Sequence, residues 1–219
     1  QYSLDTKSDY SGALITRIKS LTNGINGQIF CTSEDADKEN EKLFEKNVIV
    51  DISRIGSTET KSLIMGMLIM KLQEYRMREG EVNSNLQHVT VLEEAHNLLR
   101  RTTSVQTQEG SNLQGKSVEM ISNAIAEMRT YGEGFIIADQ APGLLDESVI
   151  RNTNTKIIFR LPDEQDRILV GRSEALNDNQ ISELAKLPRG VAAVYQNNWV
   201  QAVLCKFEKF ETKSKYQYT

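Results

Sequence analysis

Between Val48 and Leu204, short β-type apolar runs alternate with stretches whose apolar residues fall at helical spacing. That alternation restricts the fold to an α/β class, a mostly parallel sheet flanked by helices. The strand-like runs are Val48-Ile49-Val50-Asp51-Ile52, His88 to Leu92, Gly134 to Asp139 and Lys156 to Leu161, then Val191 to Tyr195 and Trp199 to Leu204. Asn197-Asn198 between the last two predicts a carboxyl-terminal β-hairpin. Helices are predicted over 9–21, from Leu14, Ile15, Ile18 and Leu21; over 58–78, capped by Ser57 or Thr58; around 117–131; just after Pro142; and near 164–170 and 178–187. The 58–78 stretch is apolar on nearly every side, which predicts burial. Residues 32–46 are polar and charged, and the polar segment 100–116 reads as a loop. No internal repeat or linker interrupts the pattern, so one domain with a decorated carboxyl end is the economical reading.

In such sheets ligands gather at the carboxyl ends of strands, and one strand end stands out. Val89-Thr90-Val91-Leu92 runs directly into Glu93-Glu94-Ala95-His96-Asn97. Two adjacent carboxylates at an open sheet edge suit one metal-side ligand and one base. They equally suit the acidic first turn of a helix.

Bulk properties narrow little else. With 219 residues, 39% hydrophobic and 26% charged, the chain has the composition of a globular protein with a substantial core. Its net charge of −4 supplies no global attraction to nucleic acid, so any such contact falls to local basic patches or an assembly. Cys31 and Cys205 match no metal spacing. No signal peptide is visible, and the longest apolar run, Leu63 to Met70, is too short to span a bilayer. A cytoplasmic protein without a membrane anchor is the expectation.

Gly56-Ser-Thr-Glu-Thr-Lys61-Ser62 is the nearest approach to a phosphate-cradling loop, and it fails on spacing. The pattern needs four residues and then Gly-Lys-Ser/Thr, whereas Lys61 occupies the place of that glycine, and Glu59 would bring negative charge toward phosphates. Ile136-Ile137-Ala138-Asp139-Gln140-Ala141-Pro142 is a second strand ending in polar groups. Gln140 offers both a donor and an acceptor and can bridge water and phosphate without titrating; its plain alternative is a bond to backbone. Arg129 closes the preceding helix, where a guanidinium serves either as an arginine finger or simply as a partner of the helix dipole. Arg160 at the end of Lys156-Ile-Ile-Phe-Arg is a weaker case of the same kind, with a strand-end salt bridge as its plain alternative. His96 suits a relay or a packing role. Arg100, Arg101 and Lys116 suit a phosphate backbone or a solvated loop.

Taken in order, Glu93-Glu94-Ala-His-Asn, Arg129-Thr-Tyr-Gly, Ala138-Asp-Gln140-Ala-Pro-Gly-Leu-Leu and Asn154-Thr-Lys-Ile-Ile-Phe-Arg-Leu resemble the HerA-like branch of the HerA/FtsK ATPases. These are RecA-like hexameric motors that move DNA, and the resemblance covers roughly residues 10–205. It implies a RecA-like, partial P-loop NTPase core over 1–205 with a tail over 206–219. It also implies ATP and Mg2+ as cofactors, and it casts Glu93 and Glu94 as the Walker B pair, Glu93 toward magnesium and Glu94 activating water. Gln140 becomes the sensor and Arg129 the arginine acting across a subunit interface. The first carboxylate of that pair is usually Asp, so Glu93 departs from the pattern by one methylene.

The Walker A loop of this family lies amino-terminal to the region seen here, and Gln1 is not an initiating Met. The expectation is therefore the carboxyl-terminal part of a motor domain that by itself neither binds nor hydrolyses ATP well. The intact protein is expected to be an ATP-driven translocase or helicase-like motor. Its expected partners are duplex DNA, further copies of itself in a homo-oligomer, a hexamer, and a nuclease or other effector, in DNA processing or phage defence. The rivals are a non-catalytic RecA-like assembly module and a conjugative coupling-type ATPase.

Overall fold

β-Branched residues at 89, 90 and 91 favour an extended, pleated chain, and they form strand β1 (His88–Glu93). It pairs in parallel with β2 (Glu133–Ala138), His88 opposite Glu133 and Glu93 opposite Ala138. Both carboxyl ends therefore open at the same edge. Side chains alternate across the sheet: Leu92 is buried, whereas Val89, Val91 and Ile136 remain about half exposed.

These observations come from a computed structural model that describes residues 12, 15, 16, 19, 36–101 and 110–210. The chain divides into two units, 1–49 and 50–219. In the first, residues 12, 15, 16 and 19 are helical, with the Thr16 hydroxyl donating to the Gly12 carbonyl at 2.8 Å. The rest of the helix predicted over 9–21 lies outside the described residues, as do Cys31, residues 102–109 and the tail beyond 210. Within the polar stretch 32–46, Ala36–Phe44 forms helix α1.

In the second unit, helix α2 (Thr58–Glu79) starts at Ser57, whose hydroxyl accepts from the Thr60 N–H, and ends at Gly80, whose N–H returns to the Arg76 carbonyl. Ile64, Met65, Ile69, Leu72 and Tyr75 are buried at helical spacing, but Leu63, Met67 and Met77 are 39–51% exposed. The helix is thus buried along one side only; uniform apolarity in the sequence hides which side packs. Its partner is helix α3 (Gly110–Met128), which buries Val118, Ile121, Ala124 and Met128. Residues 110–116, expected to be loop, belong to this helix. The segment's sequence is low in apolar residues and shows no helical periodicity, yet the helix that packs from Val118 onward extends back through it.

After β2 come helix α4 (Glu147–Asn152), strand β3 (Thr155–Ile158), helices α5 (Glu164–Ser173) and α6 (Asp178–Glu183), and strands β4 (Val191–Gln196) and β5 (Val203–Lys206). Asp146, Asp163 and Asn177 cap the three helices, the last in a reciprocal capping box with Gln180. The three strands form an antiparallel sheet in the order β3-β4-β5. Ile158, Val170, Leu176, Ile181, Leu184, Leu187 and Ala193 make one core cluster beneath it.

The architecture is α/β, with parallel pairing between β1 and β2 and antiparallel pairing among the carboxyl-terminal strands. The predicted hairpin is β4–β5, but Asn197-Asn198 is not its two-residue turn. The Asn197 N–H goes to the Asn154 carbonyl at 3.1 Å and the Trp199 N–H to the Gln196 carbonyl at 2.8 Å, so the second strand starts only at Val203. Residues 48–52 form no strand: Val48, Ile49 and Val50 are 47–95% exposed, and no ladder pairs them among the described residues. β-Propensity needs a neighbouring strand to be realised.

Candidate nucleotide-hydrolysis site

β1 does not simply run on into a helix. Glu94 turns out of the strand in the left-handed region, φ 51° and ψ 49°, and leads into a 3-10 turn over Ala95–Asn97. Its carbonyl accepts from the Asn97 backbone N–H at 3.0 Å and side-chain Nδ2 at 2.9 Å. Ala95 behind it has no exposed surface. The turn breaks the strand's alternation, so Glu93 and Glu94 serve different surroundings. Glu93 falls at the strand position that follows Val89 and Val91 on the exposed face.

Glu94 meets the end of β2. Gln140 Nε2 donates to Glu94 Oε1 at 2.9 Å, joining two residues 46 positions apart. Between them stands Asp139, its side chain 3% exposed. Asp139 Oδ2 accepts from the His96 backbone N–H at 2.8 Å and lies 2.9 Å from His96 Nδ1, while Oδ1 accepts from the Ala141 N–H at 2.9 Å. His96 Nδ1 is also 3.5 Å from Glu94 Oε2. Asp166 on α5 accepts from the Gly143 N–H at 2.8 Å, and burial raises its pKa, with Asp163 and Asp139 adding to the rise. Four side chains from two adjacent strand ends therefore form one polar cluster.

Arg129 is not part of it. It lies in the 3-10 turn Arg129–Tyr131 ahead of β2, at the amino end of the sheet, and is exposed. Arg160 is exposed beyond β3. Arg101 pairs with Glu147 at 2.9 Å, and Arg100 makes a β-bridge with Leu145, so both brace the segment before α4. Ser57, inside the rejected glycine-lysine segment, spends its hydroxyl on the α2 cap. Asp139 is the residue that sequence reasoning passed over. Its signal was present: a carboxylate two residues before an N–H in a turn at a strand end.

A groove of about 1220 Å³ runs between α2, α3 and the Ala95–Asn97 turn, with Met67, Met70, Met77 and Met120 along it and His96 and Asn97 at one end. As for magnesium, it takes one or two carboxylates and completes its shell with waters and nucleotide phosphates. Glu93 as a lone carboxylate at the sheet edge fits that donor set.

No protein-family model matches this chain. Among curated proteins it is 27% identical over 175 residues to the DNA double-strand break repair helicase HerA of Sulfolobus acidocaldarius, covering 78% of this chain and 33% of that protein. HerA of Sulfurisphaera tokodaii is 23% identical over 213 residues, 95% of this chain and 40% of the relative. The chain is similar to these HerA helicases. It spans only a third to two-fifths of these relatives' lengths. VirB4 of Thermoanaerobacter pseudethanolicus shares the fold of this chain with a TM-score of 0.66 at 14% identity, covering 94% of this chain and 51% of that one. The genome packaging NTPase B204 of Sulfolobus turreted icosahedral virus 2, solved with AMP, matches with a TM-score of 0.53 at 14% identity over 82% and 73% of the two chains. The fold of this chain is thus the P-loop NTPase fold that these two structures share. Among the described residues, no helix is long and apolar enough to cross a membrane.

Proposed function

We propose that this chain carries the water-activating side of an ATP-hydrolysing site in a DNA motor of the HerA type. The observation that carries the reading is the Gln140–Glu94 hydrogen bond at the joined carboxyl ends of two parallel strands. In this reading Glu94 is the general base. Its Oε2 takes a proton from a water whose oxygen attacks the γ-phosphorus, and the bond to the ADP oxygen breaks with its electrons going to ADP. Gln140 fixes the Glu94 carboxylate through Oε1 and leaves its own carbonyl for water or phosphate. Glu93 holds magnesium, which neutralises phosphate charge when bound.

Arg129, at the other end of the sheet, is assigned to the site of a neighbouring copy, where a guanidinium stabilises transition-state charge. That assignment requires a homo-oligomer, for which a hexameric ring around duplex DNA is proposed. The likeness to relatives named as DNA repair helicases supports the DNA partner.

The test is Glu94→Gln in the intact protein. ATP binding is expected to persist while turnover falls by at least about a hundredfold, the usual scale for a lost general base. Turnover within a few-fold of the parent removes Glu94 from the catalytic role.

A further inference from the structure

Glu94, His96 and Asp139 bring an imidazole nitrogen and two carboxylates together, each offering one donor atom, all within 4.8 Å of one another. The spacing is that of a coordination sphere. Ligands at ~2.1 Å from a metal lie about 3.0 Å apart when cis in an octahedron and about 3.4 Å apart in a tetrahedron. The edges here are 2.9 Å from His96 Nδ1 to Asp139 Oδ2 and 3.5 Å from His96 Nδ1 to Glu94 Oε2. The donors are also held from outside. Gln140 fixes the other Glu94 oxygen, and the Ala141 N–H fixes the other Asp139 oxygen, the kind of support that orients metal-bound carboxylates.

The donor set discriminates among ions. Magnesium prefers oxygen and keeps its waters, whereas one imidazole with two carboxylates suits a borderline transition-metal dication. We propose that Glu94, His96 and Asp139 form a binding site for a transition-metal dication of the zinc class, separate from the magnesium that Glu93 would serve. Binding replaces the His96–Asp139 hydrogen bond with a metal–nitrogen bond through the Nδ1 lone pair, the neutral imidazole then carrying its one proton on Nε2. The consequence for hydrolysis rests on the function proposed above: a metal on Glu94 Oε2 removes the base from the water, so the site acts as an inhibitory sensor of such ions.

The experiment titrates the full chain, nucleotide-free and with Cys31 and Cys205 changed to Ser, with Zn2+ by calorimetry. Co2+ then serves as a spectroscopic probe. One Zn2+ per chain is expected, and affinity should drop at least about 10-fold in His96→Ala and in Asp139→Asn. The second variant keeps a side-chain oxygen for the Ala141 N–H and so guards against a folding artefact. His88→Ala should leave binding unchanged. Absence of one-to-one binding, or binding indifferent to both His96→Ala and Asp139→Asn, overturns the site. In the intact protein, Zn2+ that fills the site should lower turnover at saturating Mg-ATP. If Zn2+ binds as expected but Glu94→Gln still turns over ATP, the metal site stands and the catalytic reading falls.

Discussion

The Arg76 guanidinium meets the Glu133 carboxylate at 2.8 Å with side-chain exposures of 5% and 1%. Glu133 opens β2, and its second oxygen accepts from the Thr90 hydroxyl of β1 at 2.7 Å, so one carboxylate ties the end of α2 to both parallel strands. Breaking a buried pair leaves a charge without its partner, which costs about 3–5 kcal/mol. Arg76→Ala should therefore lower the melting temperature by roughly 6–20 °C for a domain of this size. Arg76→Met combined with Glu133→Leu should recover most of the loss, because the desolvation of both charges disappears with them. Calorimetric melting of the single and double variants decides it; a single variant as stable as the parent refutes the assigned role.

Glu174 has no exposed surface, and neither carboxylate oxygen has a hydrogen-bond partner among the described residues. Burial raises its pKa from 4.5 to about 8, with nearby Lys156 pulling it part of the way back. The folded chain therefore keeps a proton that the unfolded chain has released between those values. Its contribution to stability is complete below about pH 4.5 and is lost as pH rises through about 8. Glu174→Gln removes that dependence. Denaturant titrations of parent and variant should show the variant gaining relative stability from pH 5 to pH 8, roughly levelling off above. A constant difference across that range would mean that Glu174 ionises normally.

Gly132 has φ +80°, and an added Cβ would stand 2.5 Å from the Asn85 carbonyl oxygen. It sets the turn that feeds Glu133 into β2, so Gly132→Ala should cost at least about 1 kcal/mol from the left-handed backbone alone. Gly56 meets nothing within 4 Å and has no such φ. Gly56→Ala should stay within about 0.5 kcal/mol of the parent. Equal stability of the two variants would contradict the turn's geometry.

The fold was legible where residue type and neighbour agree. Val89-Thr90-Val91 and Phe135-Ile136-Ile137 read as strands and are strands, and their parallel pairing puts Glu94 beside Gln140, two residues singled out because each ends a strand. Val48-Ile49-Val50 read equally well and is not a strand, because local propensity carries no record of the missing neighbour. Arg76, Glu133 and Glu174 are buried ionisable side chains that a hydropathy pattern assigns to solvent; only tertiary contacts reveal them. His96 and Asp139 were both in view, 43 residues apart, but their junction depends on a left-handed Glu94 that no sequence rule anticipates.

Arg129 and Glu94 stand at opposite ends of the β1–β2 sheet. Six strand residues at ~3.3 Å each put them on the order of 20 Å apart, far beyond the reach of an arginine side chain. If Arg129 acts in hydrolysis, it acts on another subunit's nucleotide, and the two defects must complement. In a ring built from equal amounts of Glu94→Gln and Arg129→Ala subunits, about a quarter of the interfaces pair an intact Glu94 with an intact Arg129. Mixed rings should regain turnover of that order, while each variant alone remains slow. Mixed rings as slow as the parent variants, with subunit exchange verified by labelling, would exclude the cross-subunit role.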